Sequence, residues 1–120
     1  MDDDRVKDFE KNLWTASGEE FLSNVDEHCL FVLPTKPFVM TRDQASEAIE
    51  ATPRWSEVDF EDMCIERPEE GMIVVAYHAT AKCDGRDPYK AHCSSTYRRL
   101  GHDNWRIVQH QQTPPLAAAT

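Results

Sequence analysis

The sequence predicts an α+β fold in which helices pack on one face of a bent antiparallel sheet. Apolar residues recur at helical spacing in the first fifty positions, and long runs typical of strands fill the remainder. The length of 120 residues fits one domain of ordinary size. We therefore expect a single domain over 1–120, with its core at about 5–114 and a loose tail at 115–120.

The first predicted helix lies close to the N-terminus. Val6, Phe9 and Leu13 recur at helical spacing, with charged residues between them, and predict a helix from about 4 to 16. Trp14 lies on the same helix. It is either a lid over a pocket or a core residue, and we favour the core.

Two further helices are predicted from their capping residues. Ser17 followed by Glu20 forms a capping box that starts a short helix. Thr41 with Gln44 forms a second capping box, which opens the helix "RDQASEAIEA". Pro53 ends that third helix, because the residue before a proline disfavours helical backbone.

Strand patterns dominate after the helices. "HCLFVLP" and "FVMT" predict two short strands, and the alternation that begins at Val58 slips in phase near Asp62, which indicates a bulge. Three long strands follow, "MIVVAYHATAKC", "YKAHCSSTYRRL" and "WRIVQHQQT". The turns "DGRDP" and "GHDN" separate them.

Composition excludes several classes of function. A formal charge of −9 argues against nucleic acid as a partner. No apolar run approaches the ~20 residues of a membrane span, and the acidic N-terminus lacks the apolar core of a signal peptide. We therefore expect a cytoplasmic protein without membrane contact. The four cysteines show no CxxC spacing, and no cofactor motif occurs, so neither a metal nor a cofactor is expected.

The predicted turns place a set of small and polar side chains on one face of the sheet. If "DGRDP" closes its hairpin near the middle, Thr96 lies opposite Ala79 and Ser94 opposite Ala81. If "GHDN" closes the next, Thr96 faces Gln109 and Ser94 faces Gln111. One face then carries Tyr77, Ala79, Ala81, Ser94, Thr96, Gln109 and Gln111. The other carries His78, Thr80, Ser95, Tyr97, Val108 and His110.

We expect the first of these faces to line a pocket. Its central residues fill little volume, whereas a packed core would use larger aliphatic side chains. Buried amides need partners, because an unpaired polar group costs ~1–3 kcal/mol. Water or a polar ligand in a cavity would satisfy Gln109 and Gln111. The alternative is an exposed sheet face with both glutamines in solvent.

The order of elements resembles a known group of proteins. The chain begins with a helix, a short helix, the strand "HCLFVLP" and a capped helix, and it continues with three long strands that end in "GHDNWRIVQHQQTP". This order is similar to that of the SnoaL-like and ketosteroid-isomerase-like group. That group has the cone-shaped fold of nuclear transport factor 2. The nearest similarity is to its small bacterial members of unknown function and to the association domain of calcium/calmodulin-dependent kinase.

The resemblance implies a curved sheet wrapped by the first helix, a pocket inside, and homodimers formed through the convex sheet face. The arginines in the pocket of the kinase association domain match Ala79 and Thr96 here, so that charge is absent. Gln111 occupies a position where the group often has His or Gln. The isomerase branch uses an inward carboxylate and a tyrosine.

Carboxylate chemistry has little support in the sequence. The long strands "MIVVAYHATAKC", "YKAHCSSTYRRL" and "WRIVQHQQT" contain no Asp or Glu, and Asp62 is the single acid that a bulge could turn inward. His92 is the candidate base in the predicted pocket, with a plain polar wall residue as the alternative. Tyr77 is the candidate oxyanion donor or acid, with a buried tyrosine whose hydroxyl group is satisfied by one hydrogen bond as the commoner alternative.

Three hypotheses remain open at this stage. The first is a module that binds a small, mostly apolar ligand through Trp14, Tyr77, His92, Ser94, Thr96, Gln109 and Gln111. The second is an isomerase, cyclase or dehydratase for a small apolar carbonyl compound, with His92 or Asp62 as base and Tyr77 as acid. The third is a structural dimerisation domain that uses His78, Tyr97, Val108 and His110.

Overall fold

The computed structural model describes residues 1–116, which form three helices and one six-stranded sheet. The helices are α1 (Asp3–Thr15), α2 (Gly18–Asn24) and α3 (Arg42–Glu50). The strands are β1 (Val25–Val32), β2 (Val39–Thr41), β3 (Glu57–Glu69), β4 (Met72–Lys82), β5 (Tyr89–Gly101) and β6 (Asn104–Thr113). The predicted α+β class is confirmed. Residues 117–120 of the predicted tail lie outside the described residues.

The strands lie in the order β2-β1-β6-β5-β4-β3. All neighbouring pairs are antiparallel except β1 and β6, which run parallel, so the sheet is mixed. Strand β6 therefore lies inside the sheet, between β1 and β5, although it comes last along the described chain. The pair β2-β1 joins the antiparallel strands β5, β4 and β3 only through β6.

Helix α1 packs on one face of the sheet, which we call the inner face; the opposite face is the outer face. The helix begins where the Asp2 carboxylate accepts a hydrogen bond from the Arg5 backbone N–H at 2.8 Å. It ends before Ala16, whose carbonyl accepts from Arg54 Nε at 2.7 Å. Arg54 also donates to the Leu13 carbonyl. Its guanidinium thus satisfies carbonyls that the end of a helix leaves unpaired.

The two shorter helices begin at the residues that the sequence indicates. The Ser17 hydroxyl accepts a hydrogen bond from the Glu20 backbone N–H at 3.4 Å. Thr41 and Gln44 form a complete capping box at the start of α3. These caps place α2 and α3 beside β1 and α1, where they cover one end of the inner face.

The predicted bulge in β3 is confirmed. Pairing between β3 and β4 shifts between Glu61 and Cys64, and Asp62 adopts a positive φ of 55°. The bulge does not turn the Asp62 side chain inward, since this carboxylate is exposed. The prediction that Asp62 could face a pocket is therefore wrong.

The predicted register between β4 and β5 is also wrong. Ala79 pairs with Ala91, and Thr96 pairs with Val74, so the two strands are displaced by five residues from the predicted pairing. The turn centres on Gly85, whose φ of +80° favours a residue without a side chain. Because five is odd, the displacement places Thr96 on the face opposite to Ala79.

The predicted register between β5 and β6 is confirmed. Thr96 pairs with Gln109, and Ser94 pairs with Gln111. A register shift follows, because Tyr97 pairs with Ile107, which leaves Val108 as an extra residue in β6. Alternation therefore changes phase within β6.

The inner face carries the core of the domain. Its strand residues include Ile73, Val75, Tyr77, Ala79, Ala81, Ala91, Cys93, Ser95, Tyr97, Ile107 and His110, all buried. Helices α1 and α2 add Val6, Leu13, Trp14 and Phe21 to this core. Within residues 1–116, no helix has the length and apolar character needed to cross a membrane.

Candidate functional site

A cavity of about 330 Å³ lies between the three helices and the inner face near β1, β5 and β6. Its lining consists of Leu13, Trp14, Phe21, Phe31, Leu33, Pro34, Thr35, Ala45, Ala48, Ile49, Thr52, Pro53, Arg54, Trp55, Arg86, Tyr89, His110 and Gln112. Phe31 and His110 are buried and form its deep end, whereas Thr52, Pro53 and Arg86 are exposed and mark its mouth. The lining contains no Asp or Glu.

Aromatic rings extend from the mouth of this cavity to its deep end. The Arg86 guanidinium lies 4.0 Å from the Trp55 ring centroid, and Trp55 stacks on Tyr89 with centroids 5.8 Å apart. Tyr89 lies 5.9 Å from Trp14, and the Trp14 ring meets His110 edge-on at 6.5 Å. Such a wall presents π-faces and edges to a planar apolar molecule.

A chain of buried polar groups starts at the deep end of the cavity. The Gln112 Nε2 lies 3.1 Å from His110 Nε2, and His110 Nδ1 lies 2.7 Å from Ser95 Oγ. Ser95 donates its hydroxyl proton to Glu10 Oε1 at 2.8 Å. Because that proton is used, Nδ1 of His110 must carry the proton of its contact with Ser95. His110 Nε2 then accepts from the amide of Gln112.

Glu10 is the end point of this chain. It is fully buried, and it accepts from Tyr77 at 2.7 Å, from Ser95 and from Tyr97. Trp14 Nε1 in turn donates to the Tyr77 hydroxyl oxygen at 3.2 Å. A carboxylate that receives several donors can be held inside a protein, whereas an unpartnered one would be very costly to bury.

Burial shifts the pKa values of this cluster in opposite directions. It raises the pKa of Glu10, although the hydrogen bonds from Tyr97, Tyr77 and Ser95 act to lower it. Burial lowers the pKa of His110 to about 4, so its imidazole is neutral at pH 7. The 3.9 Å contact between His110 Nδ1 and Glu10 is therefore not an ion pair at neutral pH. Burial and the Glu10 charge raise the pKa of Tyr77 and Tyr97 well above 10.

These groups are better suited to hold a ligand than to transfer protons. Neither Glu10 nor Tyr77 lines the cavity, and His110 with a pKa of about 4 is a weak base. The buried chain fixes the His110 tautomer and, through it, the orientation of the Gln112 amide. The arrangement therefore positions hydrogen-bonding groups at the end of an apolar cavity.

Two of the residues predicted to bind a ligand lie on the inner side. Trp14 lines the cavity and is also buried in the core, as we favoured. Tyr77 is buried behind Trp14, where its hydroxyl group binds Glu10. Ala79 and Ala81 are buried on the inner face too.

The structure does not bring the other predicted binding residues to the cavity. They lie on the outer face, where Ser94, Thr96 and Gln109 are half-buried and His92 and Gln111 are exposed. The displaced β4–β5 register is the physical reason, since the pairing of these residues between β5 and β6 is the predicted one. The predicted grouping of these five with Tyr77 is therefore wrong.

The candidate catalytic residues are dispersed as well. His92 Nδ1 lies 2.8 Å from His78 Nδ1 on the outer face, and the Asp62 carboxylate lies 3.6 Å from His78 Nε2. Tyr77 lies on the other side of the sheet. The structure thus does not place His92 or Asp62 where either could act together with Tyr77.

The residues predicted for a dimerisation face are divided in the same way. His78 lies on the outer face and Val108 is half-buried, but Tyr97 and His110 are buried on the inner face. Tyr97 and His110 cannot contact a second subunit in this fold. The displaced β4–β5 register again separates His78 from Tyr97 and His110.

Sequence reasoning missed the central residue of the buried chain. Glu10 lies on the face of α1 that also carries Val6, Leu13 and Trp14, all buried. A single acid within an apolar helical stripe was the available signal. The predicted β5–β6 register places Ser95 opposite His110, as observed, but the prediction that both face away from the pocket side is wrong.

The comparisons with known proteins give one result at the level of structure. No family model matches the chain, and no curated protein is similar to it in sequence. Solved structures do match. A candidate ketosteroid isomerase from Parabacteroides distasonis has a TM-score of 0.78 and 14% identity, over 94% of this chain and 87% of that one.

Two further structures match over similar lengths. A nuclear transport factor 2-like protein from Cytophaga hutchinsonii has a TM-score of 0.76 and 17% identity, over 96% of this chain and 100% of that one. A candidate association domain of calcium/calmodulin-dependent kinase II from Exiguobacterium sibiricum has a TM-score of 0.74 and 16% identity, over 94% and 90%. At these identities the similarity establishes the fold alone. The chain therefore has the cone-shaped fold of the nuclear transport factor 2-like and ketosteroid-isomerase-like proteins.

Proposed function

We propose that this protein binds a small, mostly apolar ligand in the cavity beneath its helices. The observation that supports this most strongly is a cavity of about 330 Å³ with an aromatic wall and no carboxylate in its lining. Ligand sites are typically concave and largely apolar, with a few placed polar groups.

Two polar groups of the lining suit a ligand that carries an oxygen or nitrogen atom. The nitrogen of the Gln112 amide faces His110, so its carbonyl oxygen and second N–H remain for another partner. The Tyr89 hydroxyl is buried and has no hydrogen-bond partner among the described residues. An unpaired buried group costs ~1–3 kcal/mol, which a ligand would relieve.

The proposal is tested by filling the cavity. Ala48 and Ala51 lie in and just after α3, but only Ala48 lines the cavity. The neutral fluorescent probe N-phenyl-1-naphthylamine should bind the wild-type protein with increased emission. Ala48→Phe should weaken this binding at least about tenfold, because the new ring occupies the site. Ala51→Phe is the matched control and should bind normally; equal binding by both variants would contradict the proposal.

An isomerase, cyclase or dehydratase acting on a small apolar carbonyl compound is the alternative function. It has less support, because such chemistry needs a proton acceptor of suitable pKa beside the substrate. His110 is the lining imidazole, and burial lowers its pKa to about 4. A second alternative, a structural dimerisation module, would predict a dimer whose cavity takes up no probe.

We also propose that the protein is a homodimer formed through its outer face. Leu30 is 53% exposed, Val32 39% and Val39 61%, and all three belong to the β1–β2 end of that face. Beside these apolar residues, the outer face carries uncharged residue pairs between β5 and β6, such as Thr96 with Gln109. Exposed apolar area of this kind marks association surfaces. A cytoplasmic location stays a prediction from the sequence.

Light scattering after size-exclusion chromatography tests the dimer. Val32→Glu places a charge in the apolar part of the outer face and should shift the protein to a monomer. Leu100→Glu is the control, since Leu100 is 49% exposed near the β5–β6 turn, away from the β1–β2 end. A monomeric wild-type protein, or a Val32→Glu dimer as stable as wild type, would contradict the proposal.

A further inference from the structure

The chain has eight arginines, and three of them, Arg54, Arg86 and Arg106, form no ion pair among the described residues. Five form ion pairs with acidic side chains, namely Arg5, Arg42, Arg67, Arg98 and Arg99. Arg54 and Arg86, which both line the cavity, have no acidic partner within 4.0 Å among the described residues. In a chain of formal charge −9, this makes the cavity locally cationic.

Arg86 is held in position by neutral groups. Its Nη2 donates to the Pro53 carbonyl at 3.0 Å, its Nε lies 2.9 Å from Cys83 Sγ, and its guanidinium lies 4.0 Å from the Trp55 ring centroid. Asp84 and Asp87 flank it in sequence, but neither approaches within ion-pair distance. The guanidinium is thus oriented at the mouth while its charge is not neutralised.

Arg54, the residue after Pro53, is also held by backbone carbonyl groups. It donates to the carbonyls of Ala16 and Leu13, and it is half-buried. Burial lowers the pKa of this guanidinium from its usual value, yet arginine keeps its proton in proteins. A partly buried cation without a counter-ion is costly, so an anion beside it would be favoured.

We propose that the ligand is an apolar carboxylic acid with a planar body, whose carboxylate lies at the mouth of the cavity against Arg86 and Arg54. This inference rests on the proposed ligand-binding function and names the ligand class. The planar body packs along Trp55, Tyr89 and Trp14. Guanidinium groups bind carboxylates with strong, charge-assisted hydrogen bonds.

Displacement of the bound fluorescent probe by two compounds of nearly equal shape, one charged and one neutral, tests the inference. Bound N-phenyl-1-naphthylamine is displaced with trans-cinnamate or with trans-cinnamamide, which lacks the charge. At low salt the acid should displace the probe at a concentration at least about tenfold lower than the amide, as expected for a charge-assisted hydrogen bond. The difference should shrink in 0.5 M NaCl, because the mouth is open to solvent.

Two arginine variants test whether the preference for the acid arises at the mouth of the cavity. Arg86→Gln should remove most of the preference for the acid and leave the amide unchanged. Arg106→Gln is the matched control, since it removes the same charge from a residue outside the cavity that contacts Asn104, and it should keep the preference. Equal displacement by acid and amide, or a preference equally reduced by both substitutions, would overturn the inference while the cavity still binds the neutral probe. A wild-type protein that binds none of the three compounds would overturn the proposed function and the inference with it.

Discussion

Ser94 and Ser95 are neighbours in β5, yet their environments differ completely. Ser94 lies half-buried on the outer face, opposite Gln111. Ser95 is fully buried on the inner face, where it links His110 to Glu10. Each serine lies opposite an uncharged polar residue of β6, Ser94 opposite Gln111 and Ser95 opposite His110. Only the inner pair belongs to a hydrogen-bonded chain that ends at a buried carboxylate.

The contrast shows that residue type alone does not mark the site. A polar side chain buried on the inner face needs hydrogen-bond partners within the protein, because water cannot reach it, and each group left without one is destabilising. On the outer face solvent supplies the missing partners. The two faces should therefore respond very differently to the same kind of substitution.

Removal of the buried carboxylate should have the largest effect. Glu10→Ala leaves the hydroxyl groups of Tyr77, Ser95 and Tyr97 without an acceptor, and we expect it to lower the free energy of unfolding by about 3–5 kcal/mol. Gln109→Ala on the outer face should change it by less than about 0.5 kcal/mol. Urea denaturation at one protein concentration measures both. Similar losses for the two variants would remove the distinction between the faces.

The response to pH should separate the two titratable groups of the inner face. The pKa of His110 is about 4 in the folded protein against 6.5 when unfolded, so the folded state binds fewer protons and stability falls as the pH drops from 6.5. The raised pKa of Glu10 acts in the opposite sense, since the folded state then binds more protons above pH 4.5. In wild type the two contributions partly cancel.

Single variants should reveal each contribution. With Glu10→Gln, acidification from pH 7.5 to 5 should cost about 2 kcal/mol, from the His110 shift alone. With His110→Gln, the same acidification should stabilise the protein, through Glu10. Urea denaturation at several pH values is the measurement. Identical pH slopes in both variants would show that neither group has the protonation behaviour assigned to it.

Two tyrosines give the smallest but most direct test, because the same substitution should have opposite signs. Tyr97→Phe removes a donor to Glu10 and should destabilise the fold by about 1–2 kcal/mol. Tyr89→Phe removes a buried hydroxyl without a partner and should be neutral or stabilise by up to about 1 kcal/mol. Thermal unfolding compares them. Equal destabilisation would mean that the Tyr89 hydroxyl is already satisfied in the protein.

Much of the fold could be predicted from local signals. Ser17, Thr41 and Gln44 mark the starts of helices through backbone hydrogen bonds that depend only on nearby residues. The phase slip in β3 correctly indicated the bulge at Asp62. The turn "GHDN" is short enough to fix the pairing of β5 with β6.

The candidate site depends on features that act over longer distances. The β4–β5 loop is longer, and the position of its centre at Gly85 was not evident from "DGRDP". The extra residue Val108 changes the phase of β6, and nothing in "WRIVQHQQT" marks that position as a bulge. The burial of the Glu10 carboxylate is possible because it accepts hydrogen bonds from hydroxyl groups of β4 and β5, which lie more than sixty residues away along the chain.

The position of β6 inside the sheet has a consequence for how the molecule is made. The pair β1–β2 emerges early from the ribosome, but its partner strand ends at residue 113. At ~5–20 residues per second, β1 would wait several seconds for the strand beside which it belongs. During that interval its unpaired edge and apolar side chains are exposed to other nascent chains. The β1–β6 part of the sheet can therefore form only after almost all of the described length has been translated.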